Sequence, residues 1–316
     1  MTAHVILNPA ARGGRNRARR PSAERALRDA GLDVVVLETA AAGDAEVLAR
    51  GLGEEGELVV AAGGDGTIHE VANGLAGTDG TLAVLPMGTG NDFARALGLS
   101  DDLEVAARQI AAGDVRRCDL GRVRWTDGAG ATHERRFTNC LGAGFDAHAA
   151  ALAAQTKWLG GRTAYLVAVL RTLWLWRRPR LYATVRQLVA AGALEGESGL
   201  DLDGPLFLCE IGNGHSVGGG FLLTPNARPD DGLLDVCHVK HIRTRRALRL
   251  LPRSLTGDHL GEPEVRTGRA EGLSLSVTKG GLPLQADGEI LTYDALEVEV
   301  EVEPGALPVH FGPGRP

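Results

Sequence analysis

Long apolar runs are missing from this chain. The longest near its middle, Ala164 to Leu170, stops at Arg171, far short of the ~20 residues that a membrane-crossing helix needs. No spanning segment is therefore expected. The first residues reach polar and basic side chains almost at once, at Asn8, Arg12 and Arg15, which leaves no place for the apolar core of a signal peptide. A basic surplus is also missing: 34 Lys and Arg stand against 40 Asp and Glu, a net charge of −6. Phosphate backbones are bound by an excess of Lys and Arg, so nucleic acid is not an expected partner. Cysteine is scarce. Cys118, Cys140, Cys209 and Cys237 are widely spaced with no CxxC pair, which excludes a zinc or disulfide framework read from spacing. They read as small buried residues of a reducing cytoplasm. No GxxxxGK[ST] phosphate loop occurs.

The 316 residues suffice for two domains, each with its own core. In the first third, short apolar strands (His4–Leu7, Val34–Leu37, Leu58–Ala62, Thr81–Leu85) alternate with helical stretches (Pro21–Ala30, Ala45–Leu52, Thr67–Leu75, Asp92–Leu97). That alternation predicts a doubly wound α/β domain with a parallel sheet. After about Asp119 the period changes. Leu120–Trp125 and Arg135–Cys140 read as strands; Leu273, Leu275 and Val277 alternate, as do Leu296, Val298, Val300 and Val302, the mark of half-buried antiparallel strands. One helix interrupts this half, with Leu166, Val169, Leu170, Leu173 and Trp174 at helical spacing. The expected organisation is an α/β domain over 1–120, to which the tail 304–316 either returns or is a loose end, and a β-rich domain over 121–303.

Ala61-Ala62-Gly63-Gly64-Asp65-Gly66-Thr67 follows one of these strands and opens a helix. Its glycines let the backbone turn and approach a ligand closely. The helix N-terminus offers free N–H groups and a positive dipole end to a phosphate. Leu85-Pro86-Met87-Gly88-Thr89-Gly90-Asn91-Asp92-Phe93 also runs from strand to helix. Thr89 and Asn91 can donate to phosphate oxygens, and Asp92 can cap the helix. Two such loops on adjacent parallel strands face one crevice, where open α/β sheets bind ligands. The first strand ends in Asn8-Pro9-Ala10-Ala11-Arg12-Gly13-Gly14, with Arg15, Arg17, Arg19 and Arg20 close behind. These arginines either neutralise phosphates or belong to a solvated helix start.

Other matches weigh less. Gly51-Leu52-Gly53-Glu54-Glu55-Gly56 has the GxGxxG form but precedes its strand, the reverse of a dinucleotide fingerprint. Gly214-His215-Ser216-Val217-Gly218 has the GxSxG form, with Asp235 and then His259 or His310 downstream, but no helix is expected after it as an esterase elbow requires. Asp230-Asp231-Gly232-Leu233-Leu234 reads either as an acidic turn or as oxygen ligands for a hard cation. In Leu284-Gln285-Ala286-Asp287-Gly288-Glu289-Ile290, two carboxylates stand two residues apart around a glycine. On a strand they share a face and can serve as a base and its partner. Asp-Gly is equally the signal of a hairpin turn.

Taken in order, Asn8-Pro9, Gly63-Gly64-Asp65-Gly66-Thr67, Gly88-Thr89-Gly90-Asn91-Asp92, Asn213 with Gly218-Gly219-Gly220, Asp231-Gly232-Leu233 and Asp287-Gly288-Glu289 make the chain resemble the soluble diacylglycerol kinase family, which also includes sphingosine and ceramide kinases. The resemblance covers nearly the whole chain. It implies an N-terminal nucleotide domain, a C-terminal β-sandwich and an active site in the cleft. It implies an ATP site at Asn8, Pro9, Thr39, Gly63, Gly64, Asp65, Gly66, Thr67, Ile68, His69, Thr89, Asn91 and Asp92. It implies a structural Mg²⁺ held by Asp231 and the carbonyls of Arg228 and Leu233, and a base from the Asp287–Glu289 pair, Glu289 being the usual assignment. The chain departs from the family in having Ala11-Arg12-Gly13 where a Ser-Gly is usual, and His69 where Asn is frequent.

Phosphoryl transfer depends on positioning and charge neutralisation. The expected reaction carries the γ-phosphate of ATP to a lipid hydroxyl, with a catalytic Mg²⁺ near Asp65 or Asp92 and the proton taken by Glu289 or Asp287. A NAD kinase and a non-catalytic nucleotide-binding regulator are the competing readings. The lipid itself is not specified by the sequence. A cytoplasmic protein reaching the inner membrane face is expected, with self-association into a homodimer left open. The stretch Trp158 to Tyr182 mixes Trp158, Tyr165, Trp174, Trp176 and Tyr182 with Arg171, Arg177, Arg178 and Arg180. Such rings favour interfaces and such arginines anionic leaflets. The same helix could instead pack on the β-domain.

Overall fold

The structure, a computed structural model, describes residues 1–155, 161–175, 182–189 and 202–313. Of the expected membrane stretch, Trp158, Trp176, Arg177, Arg178 and Arg180 lie outside the described residues, as do the side chains of Tyr165 and Tyr182. The chain forms two compact units: Met1–Asp119 with Pro304–Pro316, and Leu120–Glu303.

The first unit runs β1 (Thr2–Leu7), α1 (Asn16–Asp29), β2 (Asp33–Glu38), α2 (Asp44–Glu54), β3 (Leu58–Gly63), α3 (Asp65–Leu75), β4 (Thr81–Pro86), α4 (Asp92–Ala96), α5 (Leu103–Ala112) and the start of β5 (Val115–Thr126). The strands pair in parallel in the order β2-β1-β3-β4. Every residue of β3 is buried, as its unbroken apolar run requires. α1 begins at Asn16, ahead of the expected Pro21, so Arg17, Arg19 and Arg20 ride on the helix. α5 was not anticipated. It is delimited by Asp102, whose carboxylate accepts from the N–H groups of Glu104 and Val105, and by Gly113 at φ 73°. Ala106, Ala107 and Ile110 of α5 join Ala23, Ala26 and Leu27 of α1 and Val5, Val60 and Leu85 of the sheet in one core.

The second unit continues with β6 (Thr132–Phe137), β7 (Cys140–Gly144), α6 (Phe145–Gln155), α7 (Gly161–Leu175), β8 (Tyr182–Val189), β9 (Leu202–Gly212), β10 (Leu234–Lys240), α8 (Thr244–Arg253), β11 (Val265–Ala270), β12 (Gly272–Lys279), β13 (Leu282–Ala286), β14 (Glu289–Ala295) and β15 (Glu297–His310). The end of β15 belongs to the first unit, where Val309 pairs in parallel with Leu82 of β4. One sheet runs β14-β13-β7-β9-β10-β11, another β6-β5-β15-β12-β8. Val123, Phe137, Leu273, Leu275, Val298 and Val300 of one meet Leu141, Ile211, Val236, Leu282 and Leu284 of the other in a shared core, which makes a β-sandwich. Among the described residues three α-helices, not the single one expected, accompany it. Phe145 and Ala149 of α6, Val169 and Leu173 of α7, and Ala247 and Leu250 of α8 form a second core with Phe207 and Leu208 of β9 and Val239 of β10. No described helix is long and apolar enough to cross a membrane.

Candidate functional site

In the first unit the C-terminal ends of β1 to β4 gather the expected nucleotide residues. Asn8 ends β1: its Nδ2 donates to Thr67 Oγ1 at 3.2 Å, while its Oδ1 accepts from the Ala10 N–H at 3.0 Å and so turns the chain at Pro9. Thr39 ends β2, its N–H donating to Leu7 O at 3.0 Å. Between β3 and α3, Gly64, Asp65 and Gly66 are half-buried, whereas Ile68 and His69 are fully enclosed. The surface that a ligand can meet is therefore the first turn of α3, and the side chains of Ile68 and His69 face the interior.

The two glycine loops touch through their backbones. A Cβ on Gly88 would clash with Gly64 Cα and stand 2.8 Å from Asn91 Oδ1, so glycine is required there by contact and not only by conformation. Asn91, at φ 55°, accepts from Gly88 N–H at 2.9 Å and donates to Asp101 Oδ1 at 2.8 Å. Its amide thus locks the loop. The sequence had offered both it and Thr89 as phosphate donors, and of the two Thr89 is the exposed one. A Cβ on Gly90 would lie 2.6 Å from Asp65 Oδ2 and 3.3 Å from Asp92 Oδ2. The two carboxylates therefore converge on one small space. Asp65 Oδ1 accepts from Phe93 N–H at 3.3 Å, and Asp92 Oδ1 pairs with Arg95 at 2.6 Å. Two convergent carboxylate oxygens suit a hard divalent cation, so the residues present fit Mg²⁺. No group of three or more His, Cys, Asp or Glu with metal-holding geometry occurs among the described residues, so an ion here would complete its shell with phosphate oxygens and water.

The arginines that follow β1 divide. Arg20 is paired with Glu24 and Glu38. Arg19 reaches Met87 O at 3.5 Å, beside the second loop. Burial, then the like charge of Arg12, pushes its guanidinium below the usual range. Two neighbouring guanidiniums that disfavour one another are ready to be relieved by an anion.

In the second unit Asp287 and Glu289 do not share a strand face. Ala286 of β13 pairs with Glu289 of β14, and Asp287-Gly288 form the two-residue turn between them at φ 50° and 88°, the conformation of a type I′ hairpin. The buried Asp287 carboxylate accepts four hydrogen bonds. Oδ2 takes Thr138 N–H (2.8 Å) and Oγ1–H (2.9 Å); Oδ1 takes Asn139 N–H and Cys140 N–H, both at 2.9 Å. That loop is pinned in turn by Asn213 Nδ2 to Thr138 O at 2.7 Å and by Asn139 Nδ2 to Ser216 O at 2.8 Å. Glu289 carries its carboxylate on the exposed side of the turn. Of the pair, Asp287 holds the hairpin and Glu289 is the exposed one.

A cluster that the sequence did not announce lies beneath this turn. Gln285 Oε1 accepts from Gly288 N–H at 2.6 Å, and Gln285 Nε2 donates to Asp146 Oδ2 at 2.7 Å. Asp146, in the first turn of α6, faces an apolar cavity of ≈ 80 Å³ walled by Phe145, Val169, Leu173, Phe207, Leu250 and Leu251 among others. Glu210 of β9 is fully enclosed. Burial, then the charge of Asp146, drives its carboxyl well above the ordinary range, so it is held protonated beside the Cys140 thiol. The only sequence hint was an Asp at a helix start behind Gly142-Ala143-Gly144.

Asp231, expected to hold a structural Mg²⁺, accepts Leu233 N–H at 3.2 Å and is ion-paired with Arg269, while Arg228 pairs with Asp230 at 3.3 Å. Arg269 supplies the positive charge that a metal would bring, and it also reaches Asp235 at 3.4 Å. This arrangement does not fit a cation. Ser216 is buried, and Val217–Phe221 closes a small bridge, so the strand–turn–helix elbow of an esterase is absent.

A family model of the diacylglycerol kinase catalytic domain matches residues 2–123, and one of the YegS C-terminal NAD kinase beta sandwich-like domain matches 139–311. Mycobacterium tuberculosis diacylglycerol kinase is 34% identical over 285 residues, covering 90% of this chain and 86% of its own. Bacillus subtilis diacylglycerol kinase is 32% identical, covering 91% and 89%. A Pseudomonas aeruginosa protein named "Probable lipid kinase YegS-like" is 33% identical, covering 93% and 90%. In fold, the crystal structure of a Bacillus anthracis diacylglycerol kinase superposes with a TM-score of 0.73 at 24% identity over 99% of this chain and 97% of that one. The chain belongs to the diacylglycerol kinase and YegS-like lipid kinase family, and so to a family of phosphotransferases.

Proposed function

We propose that this protein is an ATP-dependent kinase that transfers the γ-phosphate to a lipid hydroxyl, diacylglycerol or a close relative of it. The observation that carries the reading is the convergence of Asp65 and Asp92 over Gly90 at two touching glycine loops. When bound there, Mg²⁺ would neutralise charge on the phosphate oxygens during transfer. The N–H groups at the start of α3 and the Thr89 hydroxyl hold phosphate oxygens, and Arg12 and Arg19 add positive charge. Glu289 accepts the proton of the attacking hydroxyl, while Asp287 fixes the turn that presents it. The cavity beside Asp146 has room for part of an acyl chain, with the carboxylate at its polar end. Relatives named for diacylglycerol support that acceptor; the relative named only as a lipid kinase keeps sphingosine, ceramide and phosphatidylglycerol in the test.

Incubation of the purified protein with γ-labelled ATP, Mg²⁺ and each of these lipids decides the matter. Label is expected in diacylglycerol, with turnover falling about 10²–10⁴-fold in Glu289→Gln. Label in none of the lipids, with phosphorylation of NAD instead, would overturn the reading.

A further inference from the structure

The turn that carries Glu289 is held at two places. Asp287 is fixed by the four hydrogen bonds of its carboxylate, and its own N–H donates to Cys140 O at 3.0 Å. The next residue, Gly288, has no side chain, and glycine takes positive or negative φ with equal ease. Nothing in Gly288 itself directs the backbone into Glu289. Gln285 supplies that direction, because its Oε1 accepts the Gly288 N–H at 2.6 Å. The amide is held in turn. Its Nε2 donates to Asp146 Oδ2 at 2.7 Å and lies 3.8 Å from Cys140 Sγ, so both ends of a side chain only 2% exposed are engaged. β7 leaves room for this bond. Gly142 stands opposite Gln285 in the pairing of β13 with β7, and a Cβ there would clash with both Asp146 Oδ2 and Gln285 Nε2. A buried amide costs more than an apolar side chain unless its polar atoms are paired. Here the pairing joins the turn that bears Glu289 to the first turn of α6, where Asp146 borders the apolar cavity.

We propose that Gln285 is a positioning residue for phosphoryl transfer: through the Gly288 N–H it aims Glu289 at the acceptor hydroxyl, with Asp146 as its fixed point. This rests on the reading of Glu289 as the base. Gln285 is buried behind the turn and acts only on where the base sits. A displacement of about 1 Å can cost about 10²-fold in rate. The task needs a side chain that accepts at one end and donates at the other. A glutamine does both at any pH; a glutamic acid does both only while it keeps its proton. The surroundings would decide when that is. Asp146 of α6 bonds to Gln285, Glu210 of β9 and Gln285 both pair with Gly142, Asp287 occupies the turn, and the Cys140 thiol of β7 lies alongside. Two carboxyls in contact at such a site resist ionising together and hold one proton between them.

Steady-state transfer from ATP to diacylglycerol, with Mg²⁺ and the full chain, tests the assignment. Gln285→Met keeps the length of the side chain and removes both bonds. Its kcat should fall about 10- to 100-fold, while ATP affinity by calorimetric titration is unchanged. Gln285→Glu keeps the shape and covers the case in which the methionine variant fails to fold. Its turnover relative to wild type should be nearly equal at about pH 6 and fall at least about tenfold by about pH 9, as the shared proton is lost. Scanning calorimetry at each pH establishes that the protein stays folded at the assay temperature. A residue that only filled the core would lower turnover only where the protein melts. Gly142→Ala, which wedges Asp146 and Gln285 apart without altering either, should reproduce the fall in kcat. Glu289→Gln is measured beside them. If it loses turnover while both Gln285 variants transfer phosphate like the wild type at every pH, the positioning role is wrong and the base stands. If Glu289→Gln keeps full turnover, or the wild type transfers none, both readings fall, since there is then no base to aim.

Discussion

Replacing Asp287 by asparagine keeps the side chain's shape and its tolerance of positive φ, but turns one carboxylate oxygen into an NH₂ group. Asn139 and Cys140 can offer only N–H donors, so the remaining oxygen must face them. The new amide then points at Thr138, whose hydroxyl can rotate to accept but whose backbone N–H cannot. One buried N–H is stranded and the charge assistance of three other bonds is lost. A stranded buried donor costs about 1–3 kcal/mol, and the weakened bonds bring the total to about 2–4 kcal/mol. For a unit of this size that is a fall in Tm of about 4–16 °C. Glu289→Gln, on the exposed side of the same turn, should change stability by at most about 0.5 kcal/mol while turnover falls about 10²–10⁴-fold. Scanning calorimetry and steady-state phosphoryl transfer on both variants separate the roles. An Asp287→Asn protein that melts with the wild type yet transfers no phosphate would refute the assignment of Asp287 as the anchor of the turn.

Gly88→Ala should force the two glycine loops apart at Gly64, at a cost of about 1–3 kcal/mol, and weaken nucleotide binding by calorimetric titration at least about tenfold with secondary structure kept; wild-type affinity would show that the loops do not cradle the phosphates. Asp65→Asn and Asp92→Asn should each raise the Mg²⁺ concentration needed for half-maximal activity, and unchanged Mg²⁺ curves in both would remove the two carboxylates from the ion. Burial, with Lys240 and Arg266 nearby, depresses the His238 imidazole to about 4, and burial raises the Asp235 carboxyl to about 6 against the pull of Arg269. From pH 6.5 down to 4 the unfolded chain takes up the histidine proton and the folded one does not, so His238 costs stability as pH falls. From pH 6 down to 3.8 Asp235 gains it, because the folded form holds its proton. Each amounts to about 3 kcal/mol, so they nearly cancel. His238→Gln should therefore gain about 3 kcal/mol relative to wild type between pH 6.5 and 4 in urea titrations, and parallel pH profiles would refute the linkage.

The α/β half was legible because parallel strands buried on both faces, such as Val59 and Val60, need unbroken apolar runs, and because Gly63, Gly64 and Gly88 leave a signature that few other structures demand. The hairpin at Asp287-Gly288 was legible as one of two readings, and positive φ decided between them. α8 went unread, since four arginines in ten residues look like solvated coil until Ala247 and Leu250 are seen to face the sheet. Asp146, Glu210 and Gln285 went unread for a different reason. A carboxylate in a strand is ordinarily taken to face water, and only the tertiary structure shows Glu210 shut in beside Asp146. The loop-locking bonds of Asn91 went unread because an amide near a glycine loop can serve either the loop or its ligand, and spacing does not distinguish the two.

The four cysteines give the chain a set of internal clocks. All are buried, and burial raises the thiols of Cys140, Cys209 and Cys237, the last to about 12. Only a thiolate reacts at useful speed, so an alkylating reagent can modify these groups only while the structure around them is open. Cys118 belongs to the first unit and the other three to the second. The rate at which each cysteine-bearing peptide acquires the label therefore times the opening of one unit independently of the other, and nucleotide bound at the glycine loops should slow the first clock before it touches the rest.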